Sequence, residues 1–279
     1  MRKQNAVIKK MVAGLGLAAI MLAASITGVK AAGTVTVNGK TFPDNAFRAY
    51  VLTELDKDGN RVLSKQEIAG ATEISVGDTG VKDLKGIQHF TNLKKLDCSR
   101  NELTKLDVSK NSKLEYLNCI GNKLTKLDVG KNSKLEYLDC GYNKLTKLDV
   151  GRNSKLETLY CSGNKLTKLN VSKNSRLETL LCTGNKLTKL DVGKNVNLEY
   201  LDCTSNKLTK LNVSKNVNLK TLICDFNKLK KLDVSKNIHL GTLYCNYNKL
   251  TELDLSNNTK LEYLSCGSDV KVTGYEGIY

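Results

Sequence analysis

Apolar and polar positions alternate along this chain with a period of 21 residues. Near-copies of LEYLDCGYNKLTKLDVGRNSK, residues 135–155, follow one another from Leu93 to Lys260. The nine cysteines, Cys98, Cys119, Cys140, Cys161, Cys182, Cys203, Cys224, Cys245 and Cys266, stand 21 residues apart throughout, marking eight full units and a truncated ninth. One such unit cannot bury its own apolar face, so the units are expected to stack as a solenoid in which neighbours close each other's core. The halves of a unit, LEYLDCGYN and KLTKLDVGRN, share the frame L-x-x-L-x-[CV]-x-x-N. Its alternation, with a β-branched residue in the second half, predicts one short strand from each half. The expected fold is mainly β, a solenoid with two parallel sheets. With the strand repeat of about 4.8 Å on both sides, the stack should be nearly straight. Its inward set in the second full unit is Leu114, Leu117, Cys119, Leu124, Leu127 and Val129. Asparagines at the strand ends, such as Asn143, Asn164 and Asn185 on one edge and Asn132, Asn153 and Asn174 on the other, should bond turn backbone and one another.

The frame resembles the leucine-rich repeat, with Cys in the third apolar slot, and specifically the nested bacterial subclass called IRREKO. That resemblance covers residues 72–266 and implies about ten turns. Residues 72–92 carry the apolar frame Ile74, Val76, Val81, Leu84, Ile87 and Phe90. They end in GIQHFTN and resemble the first repeats of internalins, with Thr79 where those have Asn. The resemblance implies a secreted or surface-associated bacterial binding protein, adhesin-like.

Residues 1–31 read as a secretory signal peptide: Arg2, Lys3, Lys9 and Lys10 precede an apolar run from Met11 to Val29, with Val29 and Ala31 as the small residues before a cleavage point. An uncleaved anchor is the alternative, since about 19 apolar residues can just span a bilayer. After cleavage no transmembrane span is expected. Residues 32–71 form a cap, with a hairpin turn at Asn38-Gly39 and a helix bearing Phe47, Tyr50, Val51 and Leu55 on one side. Residues 267–279 close the other end.

DKDGNRVLSKQE, residues 56–67, resembles the twelve-position calcium loop of an EF-hand. Asp56, Asp58, Asn60, Val62 (through its carbonyl), Ser64 and Glu67 fall on the ligand positions. Calcium is the expected cofactor. Arg61 stands where such loops have Gly, which should weaken the site. The alternative is a capped turn satisfied by its own side chains.

With 44 Lys+Arg against 28 Asp+Glu the chain is formally +16, and five of those charges lie in the first 31 residues, leaving about +11. Such a balance suits polyanions such as wall polymers or acidic glycans, held along rows of turn lysines such as Lys123, Lys144 and Lys165. A solvated edge is the plainer reading. Nucleic acid is not expected, because the basic residues are not interleaved with aromatics. Nine cysteines suggest disulfides in an exported chain. Stacked strands, however, hold equivalent thiols parallel and about 4.8 Å apart, which suits neither a disulfide nor convergent zinc ligation. They are read as small apolar core groups. His89 and His239 are far apart, and the sequence carries no nucleophile arrangement and no phosphate-binding Gly loop, so an enzyme is not expected.

The candidate recognition residues are in the columns that do not repeat. Flanking Leu and Cys in the first half of each unit stand Tyr116, Tyr137, Asp139, Tyr160, Leu181, Tyr200, Asp202, Ile223, Tyr244 and Tyr263, with Tyr142, Phe226 and Tyr247 two places after Cys. Outward aromatic and aliphatic residues have no core role and suit a protein or glycan partner. Cross-strand stacking that steadies the ladder is the alternative.

Overall fold

A computed structural model describes residues 33–275, and the signal-peptide expectation therefore lies outside the described residues. The chain is mainly β: a parallel-sheet solenoid of about ten turns with a small helical cap at its N-terminal end.

The cap begins with β1, Val35–Thr36, then α1, Asn45–Tyr50, which runs into a π-helical turn at Val51–Leu55. Asp44 starts α1 by accepting the Phe47 N–H at 3.0 Å, and its other oxygen accepts from Lys82 N at 2.8 Å, tying the helix start to the solenoid. After the loop come β2, Val62–Leu63, and α2, Lys65–Gly70, whose Ser64 and Glu67 form a reciprocal capping box. The Asn38-Gly39 hairpin does not form. Asn38 Oδ1 instead accepts the N–H groups of Lys40 and Thr41, and β1 pairs antiparallel with β2, with Val35 opposite Leu63. The local side-chain bond turns the chain without returning it along its own path.

Phe42, Phe47 and Phe90 close the apolar end of the stack, with ring centroids 5.7 and 6.3 Å from Phe42. Gly86, at φ 109, lies so close beneath Phe42 that a Cβ there would sit 2.2 Å from its ring. The cap is therefore fitted to the first turn by shape, which the exposed end of a repeat stack requires.

Ten parallel strands form one sheet. In order they are β3 (Glu73–Ser75), β4 (Lys95–Asp97), β5 (Tyr116–Asn118), β6 (Tyr137–Asp139), β7 (Thr158–Tyr160), β8 (Thr179–Leu181), β9 (Tyr200–Asp202), β10 (Thr221–Ile223), β11 (Thr242–Tyr244) and β13 (Tyr263–Ser265), with β12 (Glu252–Asp254) lying between the last two in the chain but outside this sheet. Equivalent residues pair without slippage, so the sequence period is also the register. Inside, Leu135, Leu138, Cys140, Leu145, Leu148 and Val150 of one unit are all buried, as are their counterparts above and below. All nine thiols are free and buried.

The second sheet is not formed. Opposite the ten-stranded ladder the L-D-V segments make a single bridge, Asp107 to Asp128, and one strand pair at the far end, β12 (Glu252–Asp254) with β14 (Lys271–Thr273). Asp107, Asp128, Asp149, Asn170, Asp191, Asn212 and Asp233 each accept the N–H two residues on, at 2.8–3.0 Å, a bond that Asp97 and Asp139 of the ten-stranded ladder also make, so it shapes the turn after each segment and is compatible with a strand. Equal ladders on both sides, the premise of a nearly straight stack, are therefore missing.

The two asparagine columns do different work. Asn143 accepts from Leu124 N at 2.9 Å and donates to the carbonyls of Cys119 and Cys140 at 3.0 and 3.1 Å, joining two consecutive turns. Asn132 donates to the carbonyls of Val108 and Asn111, while its buried Oδ1 has no partner. Both columns bind backbone, and in the second column each amide reaches the preceding asparagine through that residue's main-chain carbonyl, as Asn153 does to Asn132 at 2.9 Å.

Candidate binding surface

On the ten-stranded sheet Leu and Cys point inward, which leaves the residues between and beside them on the outer face. The register aligns Tyr160, Leu181, Asp202, Ile223 and Tyr244 in one row across β7 to β11, each partly exposed. Beside it Tyr116 and Tyr137 stack with centroids 4.4 Å apart and planes 8° from parallel, and Tyr160 meets Tyr137 edge-on at 5.6 Å. Lys95 Nζ lies 5.5 Å from the Tyr116 ring centre. Burial among these rings raises the Tyr137 hydroxyl above the usual tyrosine range, with the nearby Asp139 adding to the shift. Tyr200 stands apart from the clusters, between Thr179 and Thr221 on the neighbouring strands.

Asp139 and Asp202 have a turn-forming duty as well as a place on this face. Asp139 is 6% exposed and accepts from Gly141 N at 2.9 Å, and Asp202 accepts from Thr204 N at 3.0 Å. Burial raises the Asp139 carboxyl, partly offset by the Gly141 N–H. Asp97 and Asn118 make the same bond in their turns. Tyr160, Leu181, Ile223 and Tyr244 occupy that position with side chains that cannot make it. Asp139, Tyr142, Tyr160, Leu181 and Asp202 line a shallow groove on the face.

The loop after the sheet holds the feature that sequence columns alone did not expose. In eight successive turns the residue two after Cys has a left-handed backbone: Arg100, Gly121, Tyr142, Gly163, Gly184, Ser205, Phe226 and Tyr247, with φ between 50 and 69°. Glycine fits there freely, whereas a side chain costs roughly 1–2 kcal/mol. Tyr142, Phe226 and Tyr247 nevertheless occupy it and are 66%, 51% and 70% exposed. Phe226 and Tyr247 stack at 4.2 Å. The Tyr142 ring lies over Gly163, where a Cβ would come within 2.9 Å of it. The signal in the sequence was glycine alternating with aromatics in one column.

Two further features escaped column reading. Glu115, Glu136, Glu157, Glu178 and Glu199 run along the entry edge of the sheet, so the face is flanked by acid in a chain that is basic overall. Val196, Val217 and Ile238 take the place of a recurring serine and are each about half exposed, forming a short aliphatic stripe on another edge. Among the described residues Lys126, Lys147 and their equivalents make no ion pair with the neighbouring aspartates. No Lys–Asp pair there comes within ion-pair distance, and the four ion pairs are Lys94–Glu115, Lys95–Glu73, Lys123–Glu102 and Lys220–Glu199.

Residues 133–174 match the family model for Leucine Rich repeats (2 copies). Internalin J of Listeria monocytogenes is 43% identical over 86 residues, 31% of this chain and 9% of that protein. The solved functional domain of internalin J from Listeria monocytogenes, described as including a cysteine ladder, is 35% identical with a TM-score of 0.53, over 86% of this chain and 62% of that one. The chain has the leucine-rich repeat fold and is similar to the internalins. A leucine-rich repeat protein of Leptospira interrogans is 26% identical with a TM-score of 0.58, over 67% of this chain and 57% of its own. The chain spans less than two thirds of the length of each of these relatives. The cysteines of this chain, Cys98 to Cys266, stand one per turn and are free and buried.

Proposed function

We propose that this internalin-like protein is an exported, surface-associated binding module, adhesin-like, that holds a protein partner across the outer face of its parallel sheet. One observation carries the reading: three exposed aromatics, Tyr142, Phe226 and Tyr247, stand in a left-handed backbone position where Gly121, Gly163 and Gly184 serve the fold at lower cost. Strain kept at exposed residues that the core does not use marks a recognition site. The row from Tyr160 to Tyr244 supplies aliphatic and aromatic anchors beside them, over a span of about 19 Å, a breadth that suits a protein better than a single sugar. Export rests on the signal-like residues 1–31 and on the internalin relatives, and no helix among the described residues is long and apolar enough to cross a membrane.

The competing reading is a polyanion held along the lysine rows, which are exposed throughout. Protein and glycan arrays probed with the full chain at low and high salt separate the two. Capture by the sheet persists in salt and is lost when Tyr160, Leu181, Ile223 and Tyr244 are all changed to Ala. Capture that collapses with salt, or that survives the fourfold change, removes the sheet from the reading.

A further inference from the structure

The loop between α1 and β2 holds a cluster that the sheet does not explain. One oxygen from each of Asp56, Asp58 and Glu67 lies within 4.8 Å of the others. Asp56 is 4% exposed. Its Oδ2 accepts the Arg61 N–H at 2.9 Å, but its Oδ1 is buried with no donor. A buried carboxylate oxygen left unmet is among the more expensive features a fold can carry. The carboxylates of Asp58 and Glu67, clustered with that of Asp56, bring further negative charge to it and no donor. A cation meets both demands, since it pairs the orphan oxygen and offsets the repulsion.

We infer that Asp56, Asp58 and Glu67, whose oxygens cluster where Asp56 also keeps a buried oxygen without a partner, form a calcium site that fastens the cap to the first turn of the solenoid. The donors are all oxygen, which selects hard cations over zinc or copper. Asn60 and the Val62 carbonyl extend the set on a loop flexible enough for calcium, whereas magnesium demands a closer octahedron and keeps its water. Asp58, Ser64 and Glu67 line an open groove, giving the ion a path inward.

Two apparent defects of the loop are resolved by its surroundings. Arg61 holds φ at 64°, the left-handed turn that glycine provides elsewhere, so the residue type departs from the pattern but the backbone does not. The stiffening that a second loop would give comes from β1, whose Val35 and Thr36 pair with Leu63 and Val62. The site also faces the solenoid: beyond α2, the Thr72 carbonyl accepts from Lys94 N at 2.8 Å, and Asn92 donates to the Ala69 carbonyl at 3.1 Å. Glu67 now accepts from Lys57 N at 2.6 Å and Ser64 N at 2.7 Å, bonds that the ion would share or replace.

Calorimetric titration of the full chain with calcium chloride, with magnesium chloride as control, tests the site alongside thermal unfolding. The expected dissociation constant is on the order of 10⁻⁴–10⁻³ M for calcium, with magnesium at least about tenfold weaker and a melting temperature that climbs with calcium. Glu67→Gln keeps an acceptor for the capping box but removes charge, and weakens calcium by about tenfold or more. Arg61→Gly removes a nearby cation and the backbone cost, and strengthens binding severalfold. Absence of heat and of a melting shift at about 10 mM calcium, in both the natural chain and Arg61→Gly, would overturn the site. So would calcium binding that Glu67→Gln and Asp58→Asn leave unchanged.

Discussion

Phe226 and Tyr247 stand one turn apart, stack with centroids 4.2 Å apart, and both hold φ at 53°. The pair thus combines a favourable ring contact with an unfavourable backbone on each side. Stacking contributes about 0.5–1.5 kcal/mol, which does not offset two left-handed residues at roughly 1–2 kcal/mol each. The balance makes the pair a test of whether these positions serve the fold or a partner.

Replacing both by Gly should leave stability within about 1 kcal/mol of the natural chain, because relief of backbone strain is set against the lost stack and glycine's greater entropy in the unfolded state. Replacing both by Ala should cost more, since the strain stays and the stack goes. Urea midpoints compare the two. Capture of the partner found by array should be lost in both variants. A double glycine variant that binds as before would assign the aromatics to stacking alone.

The asparagine columns should differ in sensitivity although both are buried. Asn143→Ala removes an acceptor for Leu124 N and donors to two cysteine carbonyls, and should cost about 3 kcal/mol or more. Asn132→Ala loses only donors and also removes the unpartnered Oδ1, so about 1–2 kcal/mol less is expected. Chemical unfolding of the two single variants decides it, and equal losses would contradict the assignment.

The thiol ladder makes a pH prediction with a definite sign. Burial pushes the Cys161 thiol up to about 12 from 9.0, with Asp139 adding to the shift. Below pH 9 the thiol is protonated in both states, and its contribution is fully present. As pH rises past 9 the unfolded chain loses the proton first, so stability falls by about 1.4 kcal/mol per pH unit for each such thiol until the folded value is reached. Cys161→Ala should flatten the fall between pH 9 and about pH 11 by that amount, measured by urea unfolding at several pH values. A slope equal to that of the natural chain would show the thiol to be ionised alike in both states.

The same burial predicts that thiol reagents leave the native chain unlabelled at neutral pH and modify nine cysteines once it is denatured. A denatured count near one, or rapid labelling of the native chain, would show that the ladder is oxidised or open.

The period of 21, the inward set of Leu, Cys and Val, and the free thiols could be read directly from the chain, because each repeats in every unit and stacking converts sequence spacing into register. The outward row at Tyr160, Leu181, Ile223 and Tyr244 was legible for the same reason: columns that break a repeat are visible against it. What a single unit does with its backbone was not. Whether L-D-V pairs with its neighbours was hidden, because Asp128 accepts from Gly130 N at 2.8 Å on the unpaired side just as Asp139 accepts from Gly141 N at 2.9 Å within the ladder, so residue order and local bonding look alike on both sides. Likewise β1 finds β2 rather than a hairpin partner, and the left-handed seats of Tyr142, Phe226 and Tyr247 appear only as backbone angles. Periodic burial is a property of residue order, and the chain alone determines it. Strain, orphaned oxygens and the choice between two possible hydrogen-bond partners depend on what lies across space, and only the tertiary structure decides them.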